Sequence, residues 1–463
     1  MTSPLQKPLY NQSLIVDLYE LTMAAGYFEN QYNHLSTFEV FVREMPRNRA
    51  YMVAAGLQQI TEYLLNLKFE EDDIAYLQSL PAFSRLQNDF WDYLRQFRFS
   101  GDVWAIPEGQ IVFPGEPLVR ITAPIIEAQI VETFLLSMIN FQTLIASKAA
   151  RVVQAAQLDG KKRGIMEFGS RRAHGPEASI LAARAAYIAG CIGTSNVLAG
   201  KRFGIPVYGT AAHSWTMAFP SEMDAFRAYY KVFPESTILL IDTYDIEQGA
   251  HHAVEIGPGI KGVRIDSGDL LEESKKVRQI LDNAGMKHVM IVVSGDLNEY
   301  KIKKLVEAGA PIDSFGVGTQ MVTSEDAPSL GGIYKLVEQE INGQIRYRAK
   351  FSRNKATYPG KKQVFRFVDE NGQFHHDLIG LEKESYNEPN IPLLVPVMQK
   401  GEVVYDFPRI ERIREFFCDN LRRLPESFKA FENNQPYPVR YSQLLQDLFE
   451  QLKTEEVEEE KPQ

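Results

Sequence analysis

The sequence has few cysteines and no long apolar run, and both absences narrow the class of protein. Only two cysteines, Cys191 and Cys418, occur in 463 residues, too few for the disulfide framework of a small secreted domain. The first residues, MTSPLQKPLYNQ, lack the apolar centre of a signal peptide, and no run of about 20 uncharged apolar residues follows. We therefore expect a cytoplasmic protein that does not span a membrane.

Positive charge is also in short supply. The chain has 50 Lys and Arg against 60 Asp and Glu, a formal net charge of −10, which argues against a nucleic-acid-binding surface. The composition, 44% hydrophobic and 24% charged, is typical of a globular protein. Because a single (β/α) barrel needs only about 250 residues, the length predicts a second domain.

A nucleotide-binding glycine motif is missing as well. No G-x-x-x-x-G-K-[ST] sequence occurs, so any ATP that is used is not held by a P-loop. The segment GPGIKG at 257–262 matches G-x-G-x-x-G in letters only. It follows a predicted helix and leads into a strand, whereas a dinucleotide fingerprint follows a strand and begins a helix.

What the sequence does contain is a series of apolar runs that end on small polar residues. They end at EFGS (167–170), VYGT (207–210) and LIDT (240–243), and then as GVRIDSGD, HVMIVVSGD and SFGVGT between 262 and 319. Helical periodicity fills most of the gaps, and spacings of about 25 to 40 residues fit βα units. One more strand on either side gives roughly an eight-fold barrel, complete or incomplete. The predicted fold is therefore α/β, an irregular (β/α) barrel of the TIM type.

The flanking segments predict antiparallel strands. Residues 36–44 alternate as a half-buried strand does, and 102–124 places short strands between Pro and Gly turns. Asn-Gly turns at Asn342 and Asn371 predict hairpins in the segment after the barrel. We predict an α+β side domain built from the N-terminal and post-barrel segments. The predicted boundaries are 1–140 (N-terminal α+β domain), 141–335 (barrel), 336–405 (β-rich segment joining the side domain), 406–453 (C-terminal helices) and 454–463 (disordered acidic tail).

The last two polar loops predict a phosphate pocket. In a (β/α) barrel the chemistry lies at the carboxyl ends of the strands, and the loops after the last two strands commonly bind phosphate. Gly295 and Asp296 lie in one such loop, and Gly318 and Thr319 lie in the other. Their backbone N–H groups are suited to surround an anion. The alternative is ordinary βα turn chemistry with helix caps.

Basic and hydroxyl residues follow two earlier strands. Arg171 and Arg172 come directly after EFGS, where guanidinium groups bind phosphate or carboxylate with paired hydrogen bonds. The alternative is that one or both pair with a nearby acid. Thr210, His213 and Ser214 follow the VYGT strand. A lone histidine is more often structural, but this one lies where active-site loops form.

An arginine inside the apolar strand GVRID is the remaining unusual feature. Arg264 needs either a hydrogen-bonding partner or a position at the solvent-exposed mouth of the barrel, because burying an unpaired charge costs several kcal/mol. Asp266, at the end of this strand, is a candidate ligand for Mg²⁺, directly or through water, or a group that stabilises developing positive charge. The alternative role, a cap for the next helix, suits Ser267 or Asp269 better.

Together these segments resemble the nicotinate phosphoribosyltransferase family. The resemblance runs from DLYELTMA near residue 17 to LGGIYKLV near residue 337, and it includes EFGSRRAHGPEAS, GTSNVLAG, VYGTAAHSW, VRIDSGDL and FGVGTQMVTS. It implies that nicotinate and 5-phosphoribosyl-1-diphosphate give nicotinate mononucleotide and diphosphate, with Mg²⁺ as cofactor and ATP as co-substrate. It also implies a ligase-type enzyme of NAD synthesis and a homodimer with composite sites, without nucleic-acid or membrane partners.

The resemblance also implies roles for individual residues. Tyr19 would stack on the pyridine ring, reaching into a neighbouring subunit's site, while Arg264 and Thr210 would hold nicotinate. His213 would be the histidine that ATP phosphorylates. Arg171 would contact the diphosphate end, and the ribose phosphate would be bound by Gly295, Asp296, Gly318 and Thr319.

Substrate choice depends on one position in the GT-x-x-V-x-AG segment. The resemblance implies an acid there in relatives that act on nicotinamide, whereas this chain has Ser195. An aspartate would repel the carboxylate of nicotinate, so serine favours the acid substrate. The alternatives are the same reaction on nicotinamide or quinolinate, or a barrel that binds phosphorylated ligands without turnover.

Overall fold

The structure is a computed structural model that describes residues 5–6, 11–352, 355–432 and 435–459, with only the backbone described at 456–459. It divides into two compact units. We call Ile145–Pro328 the central unit, and we call Met1–Leu144 together with Ser329–Gln463 the split unit. No described helix is both long enough and apolar enough to cross a membrane.

Helices and strands are numbered here in chain order. The helices are α1 (Leu18–Glu29), α2 (Leu57–Asn66), α3 (Glu71–Ser79), α4 (Asn88–Gln96), α5 (Ile125–Ile130), α6 (Glu132–Ala156), α7 (Pro176–Ile188), α8 (Val197–Phe203), α9 (His213–Met217), α10 (Glu222–Val232), α11 (Ile246–Ile256), α12 (Leu270–Asn283), α13 (Glu299–Glu307), α14 (Thr319–Val322), α15 (Ile410–Arg423) and α16 (Gln443–Glu459). The strands are β1 (Leu35–Val42), β2 (Met52–Val53), β3 (Asp102–Ala105), β4 (Ile111–Val112), β5 (Pro117–Pro124), β6 (Gly164–Glu167), β7 (Gly193–Thr194), β8 (Ile238–Leu240), β9 (Gly262–Ile265), β10 (Met290–Val293), β11 (Ser314–Val317), β12 (Gly332–Ile341), β13 (Gln344–Tyr347), β14 (Lys362–Val368), β15 (Phe374–Leu381), β16 (Asn390–Pro392), β17 (Val395–Gln399), β18 (Glu402–Val403) and β19 (Val439–Tyr441).

The split unit is held together by a sheet that uses both of its segments. The strand order is β13-β12-β1-β5-β3-β17-β18. β1 pairs antiparallel with β12, and β3 pairs antiparallel with β17. A smaller sheet has the order β16-β14-β15-β19. The two segments that flank the central unit thus belong to one compact unit.

Strand β1 is confirmed, but its predicted half-burial is wrong. Thr37 and Glu39, which alternation assigns to a solvent face, are both buried. Glu39 tolerates burial because Lys362 Nζ lies 2.8 Å from its Oε2 and the Lys362 N–H donates to its Oε1. Packing from the second segment therefore covers the polar face of this strand.

The central unit contains a parallel sheet in the order β7-β6-β11-β10-β9-β8. Buried apolar side chains line its strands, as a sheet covered on both faces requires. A closed eight-stranded barrel is not confirmed, because no pairing in the described chain joins β7 to β8. The VYGT segment makes a single bridge, from Val207 to Thr194. Pro206 has no N–H for a ladder, and Val207 and Tyr208 are 48% and 40% exposed.

Two further predictions need correction. The Asn342-Gly343 turn joins β12 to β13 as predicted, with both residues at positive φ. At Asn371 the hairpin forms, but its loop spans 369–373 because the Asp369 carboxylate accepts from the N–H groups of Asn371 and Gln373. The predicted disordered tail begins at 454, whereas α16 continues to Glu459. Residues 460–463 of that tail lie outside the described residues.

Candidate active site

The carboxyl ends of the parallel strands in the central unit surround a polar pocket of about 320 Å³. Nine of the residues predicted from the sequence line it: Arg171, Ser195, Thr210, Arg264, Asp266, Gly295, Asp296, Gly318 and Thr319. Six others complete the wall: Phe168, Arg172, Gly209, Ser294, Leu297 and Gly316. The sheet therefore gathers side chains that are up to about 150 positions apart in the chain, as expected of loops that follow parallel strands.

Two arginines on a short turn supply uncompensated positive charge. Arg171 and Arg172 lie on the 3₁₀ turn Ser170–Arg172, directly beyond β6, and both are exposed. Neither guanidinium has an ion-pair or hydrogen-bond partner within the described part of the chain. The alternative prediction, that they pair with a nearby acid, is therefore wrong. Two free guanidinium groups at one wall are suited to bind a polyanion.

Arg264 connects three strand ends. Its Nε donates to Ser294 Oγ at 2.8 Å, its Nη1 donates to Thr210 Oγ1 at 2.8 Å, and its Nη2 donates to Asp266 Oδ1 at 2.6 Å. The side chain is 12% exposed, and Phe168 lies against the guanidinium with its ring centre at 5.7 Å. The expectation that this arginine needs a partner is confirmed. A guanidinium carries five N–H groups, so two remain available for a ligand.

In the loop after β10, main-chain atoms reach the pocket at a glycine, where no side chain covers them. Gly295 and Asp296 both have positive φ, +98° and +44°. A Cβ at Gly295 would lie 2.2 Å from the carbonyl oxygen of Asp266. Only glycine can occupy position 295 so close to the Asp266 carbonyl, because an L side chain would both strain the backbone and collide with that oxygen. Gly318 and Thr319 face the same pocket from the loop after β11. Both loops thus expose the N–H groups that anion binding needs.

Asp242, at the end of the LIDT run, is a site residue that the sequence reasoning missed. Its Oδ2 accepts from the N–H of Asp266 at 3.1 Å and from Ser267 Oγ at 2.6 Å. Its Oδ1 is buried and has no hydrogen-bond partner among the described residues. Ser267 therefore does not cap the next helix; Asp269 does, accepting from two N–H groups of α12. The sequence feature that could have identified it is an aspartate at the end of an apolar run.

Glu167, the last residue of β6, was also missed. It is fully buried, and its carboxylate accepts from the Gly169 N–H and from Thr194 Oγ1. Burial raises the pKa of this carboxyl, while the two donors oppose the shift. The backbone carbonyl of Glu167 also accepts from the Ser195 N–H at 2.9 Å. Glu167 therefore links the end of β6 to the turn that follows it and to β7.

The structure does not bring two predicted residues into the pocket wall. His213 begins α9, and its Nδ1 lies 3.2 Å from Thr243 Oγ1, but it is not a lining residue. Tyr19 belongs to α1 of the split unit and is 45% exposed. No group of three or more His, Cys, Asp or Glu side chains with metal-site geometry occurs in the described ranges.

Comparisons with known proteins all indicate one family. Three family models match: the nicotinate phosphoribosyltransferase (NAPRTase) N-terminal domain at 14–140, the NAPRTase family at 164–368 and the nicotinate phosphoribosyltransferase C-terminal domain at 389–449. The chain is 45% identical over 438 residues to nicotinate phosphoribosyltransferase pncB2 of Mycobacterium tuberculosis, covering 93% of this chain and 91% of the relative. It is 38% identical to the Bacillus subtilis nicotinate phosphoribosyltransferase, covering 93% of each.

A solved structure extends the similarity to the fold. The crystal structure of human nicotinic acid phosphoribosyltransferase matches with a TM-score of 0.83 and 29% identity, covering 95% of this chain and 100% of that one. The resemblance seen in the motifs is thereby confirmed across nearly the whole length, including the C-terminal part for which the sequence reasoning had no motif. The chain belongs to the nicotinate phosphoribosyltransferase family.

Proposed function

We propose that this protein transfers the phosphoribosyl group of 5-phosphoribosyl-1-diphosphate to nicotinate, giving nicotinate mononucleotide and diphosphate. The observation that carries the proposal is the pocket itself. It combines two free arginines, two glycine loops with exposed N–H groups, and a partly satisfied guanidinium at Arg264. An aromatic carboxylate and a phosphorylated sugar need these three kinds of group.

The nicotinate end is assigned to Arg264, Thr210 and Ser195. The two remaining N–H groups of Arg264 match the two oxygens of a carboxylate. The Ser195 hydroxyl makes no hydrogen bond with another described residue and lines the pocket, so it is free to donate. No acidic side chain replaces it there, which favours nicotinate over nicotinamide.

The opposite end is assigned to the polyanion. Gly295, Asp296, Gly318 and Thr319 bind the ribose phosphate through their loops, and Arg171 contacts the diphosphate. In the reaction the pyridine nitrogen donates its electron pair to the ribosyl C1, while the C1–O bond breaks and its pair leaves with diphosphate. The arginines stabilise that leaving charge, and the pocket holds the ring nitrogen behind C1.

Mg²⁺ fits the carboxylates present. Asp266, directly or through water, would hold it together with diphosphate oxygens, and Asp242 offers a buried carboxylate oxygen that no described residue contacts with a hydrogen bond. One or two carboxylates plus substrate phosphates is the usual protein environment of Mg²⁺. The ion would neutralise charge on the leaving diphosphate.

Two further elements of the proposal rest on the family resemblance. His213 accepts the γ-phosphoryl group of ATP, and hydrolysis of that phosphohistidine couples turnover to ATP. Phosphorylation would change the local charge by up to about two units, enough to alter affinity for an anionic ligand. The protein acts as a homodimer in which Tyr19, an exposed aromatic residue, reaches the partner's site.

The test is diphosphate release from 5-phosphoribosyl-1-diphosphate and Mg²⁺ with nicotinate, nicotinamide or quinolinate, each with and without ATP. We expect fast release with nicotinate and a further gain with ATP. Release only with nicotinamide or quinolinate would overturn the assignment of Ser195. Absence of release with all three, together with tight binding of inorganic diphosphate, would leave a phosphate-binding protein without turnover.

A further inference from the structure

Asn196 occupies a junction behind the pocket wall. Its Nδ2 donates to Ser170 Oγ and to Ser179 Oγ, both at 3.0 Å. Its Oδ1 accepts from the Ala199 N–H at 2.9 Å and thereby caps α8. One side chain thus uses both amide hydrogens and its carbonyl to join three segments. It does not line the pocket itself.

A second contact ties this junction to the strand end. The Asn196 N–H donates to Thr194 Oγ1 at 2.9 Å, and Thr194 Oγ1 in turn donates to the buried carboxylate of Glu167. The same carboxylate accepts from the Gly169 N–H. The turn Ser170–Arg172 is therefore held at its beginning by two contacts, at Gly169 by Glu167 and at Ser170 by Asn196.

This turn needs such support. It is a single 3₁₀ turn of three residues, closed only by the N–H groups of Arg172 and Ala173 on the Gly169 carbonyl among the described backbone bonds, and 3₁₀ hydrogen bonds have poorer geometry than those of an α-helix. Its two arginines are exposed, and no ion pair in the described chain fixes them. Without the bond to Ser170, the turn would keep its backbone contact to Glu167 but lose its side-chain anchor. The position of Arg171 and Arg172 would then vary.

We propose that Asn196 is a positioning residue that sets the turn bearing Arg171 and Arg172 for the diphosphate of the substrate. The inference rests on the proposed function and deepens it. Asn196 acts through the Ser170 bond, and its bond to Ser179 and its helix cap serve local structure only. Loss of the Ser170 bond raises the KM for 5-phosphoribosyl-1-diphosphate by roughly tenfold, the size expected when about one hydrogen bond is lost. The kcat and the KM for nicotinate stay within about twofold, since the other walls are unchanged.

Three substitutions separate the bonds of Asn196. Asn196→Leu removes all three side-chain bonds at nearly the same side-chain size. Ser170→Ala removes only the bond to the turn. Ser179→Ala removes the bond to α7 together with the local bond that the Ser179 hydroxyl donates to the Pro176 carbonyl. We expect Asn196→Leu and Ser170→Ala to raise the KM for 5-phosphoribosyl-1-diphosphate alike, while Ser179→Ala behaves as the wild type. Equal effects of the two serine variants, or an unchanged KM in Asn196→Leu, would overturn the proposal.

A measurement without turnover keeps this inference separate from the proposed function. Binding of inorganic diphosphate is measured by calorimetry, and amide hydrogen exchange is followed over 169–173, in the wild type and in Ser170→Ala. We expect weaker binding and faster exchange confined to that segment. If the wild type releases no diphosphate from substrate yet shows these differences, the reaction is wrong and the role of Asn196 stands. If binding and exchange are both unchanged, the role of Asn196 is wrong.

Discussion

Arg264 Nη2 lies 2.6 Å from Asp266 Oδ1 at the end of β9, and a single residue separates the two in the sequence. Residues two apart in a strand project to the same face, so the pair points together toward the pocket. The carboxylate balances the guanidinium while the pocket is empty. An entering carboxylate then shares a cation that is already oriented, which limits the entropy lost on binding.

Arg264→Lys should therefore lower kcat/KM for nicotinate by about 100-fold or more, because one ammonium cannot serve Ser294, Thr210 and Asp266 at the same time. Steady-state kinetics with nicotinate varied would measure the loss. Arg278→Lys on α12 is the matched control: Arg278 is paired with Asp282 at 2.8 Å and lies outside the pocket wall. A variant at 264 that stayed within threefold of the wild type would contradict this role.

Ser195→Asp should exchange substrate preference. An aspartate at this position accepts hydrogen bonds from a carboxamide and repels a carboxylate, so discrimination should shift by about 2–3 kcal/mol, or about 30- to 150-fold. The measurement is the ratio of kcat/KM for nicotinate to that for nicotinamide. Ser195→Ala, which adds no charge, should weaken nicotinate binding without favouring nicotinamide. An unchanged ratio in the aspartate variant would remove Ser195 from the nicotinate end.

Gly295→Ala should weaken binding of the ribose phosphate. The added Cβ meets the Asp266 carbonyl oxygen at 2.2 Å, and φ is +98°. We expect the KM for 5-phosphoribosyl-1-diphosphate to rise at least about tenfold, with about 2–4 kcal/mol lost from the free energy of unfolding. Gly285→Ala is the control, since φ is +75° there but nothing lies within 4 Å of the added atom. It should cost only about 1 kcal/mol and leave kinetics intact; equal kinetic losses in both variants would contradict the steric argument.

His213→Ala should separate transfer from ATP use. If His213 carries the phosphoryl group, the variant keeps basal diphosphate release but loses the gain from ATP, and ADP production falls to background. Coupled assays of ADP and diphosphate on the same sample measure both. His174→Ala is the control and should retain ATP coupling, because His174 is an exposed histidine just beyond the turn Ser170–Arg172. Persistent ATP stimulation in the 213 variant would assign the phosphoryl acceptor elsewhere.

Glu20 should make the stability of the split unit dependent on pH. Burial, with smaller contributions from Glu132 and Asp17, raises the pKa of this carboxyl to about 7, although Thr133 donates to it. A raised carboxyl pKa means that the folded state holds the proton more tightly. The stabilisation is complete below the unfolded pKa near 4.5 and is lost as the pH rises through about 7.

Glu20→Gln keeps an acceptor for Thr133 but cannot ionise. Between pH 5 and pH 8 its free energy of unfolding should rise relative to the wild type by roughly 1–3 kcal/mol. Urea denaturation at both pH values measures the difference. Glu29→Gln, an exposed position on the same helix, should show no such trend. A constant difference across the pH range would mean that Glu20 titrates normally.

Much of the site was predictable because its residues follow apolar runs directly. Gly295 and Thr319 come at the ends of unbroken apolar strands, so the rule for parallel sheets places them together. Asp242 and Glu167 were missed because their importance lies in which N–H and hydroxyl groups they accept from. Those partners are set by tertiary packing, and no local pattern encodes them.

The fold shows the same limit. The alternation of strands and helices could be predicted from the hydrophobic periodicity of the sequence. Whether the sheet closes into a barrel depends on strand pairing at its edges. Val207 keeps a single bridge because Pro206 removes a donor and its neighbours are exposed. Burial of Glu39 likewise depends on Lys362, more than three hundred positions away, a distance at which alternation carries no information.

The division of the split unit has a consequence for synthesis on the ribosome. Strands β1 and β3 are made early, yet their partners β12 and β17 leave the ribosome only after the whole central unit has been translated. Until then both strands carry unpaired backbone edges, which are sites of aggregation in a nascent chain. The central unit, a continuous segment, can collapse first. Slow translation just past residue 328, or a chaperone bound to the exposed edge of β1, would therefore govern the yield of active protein.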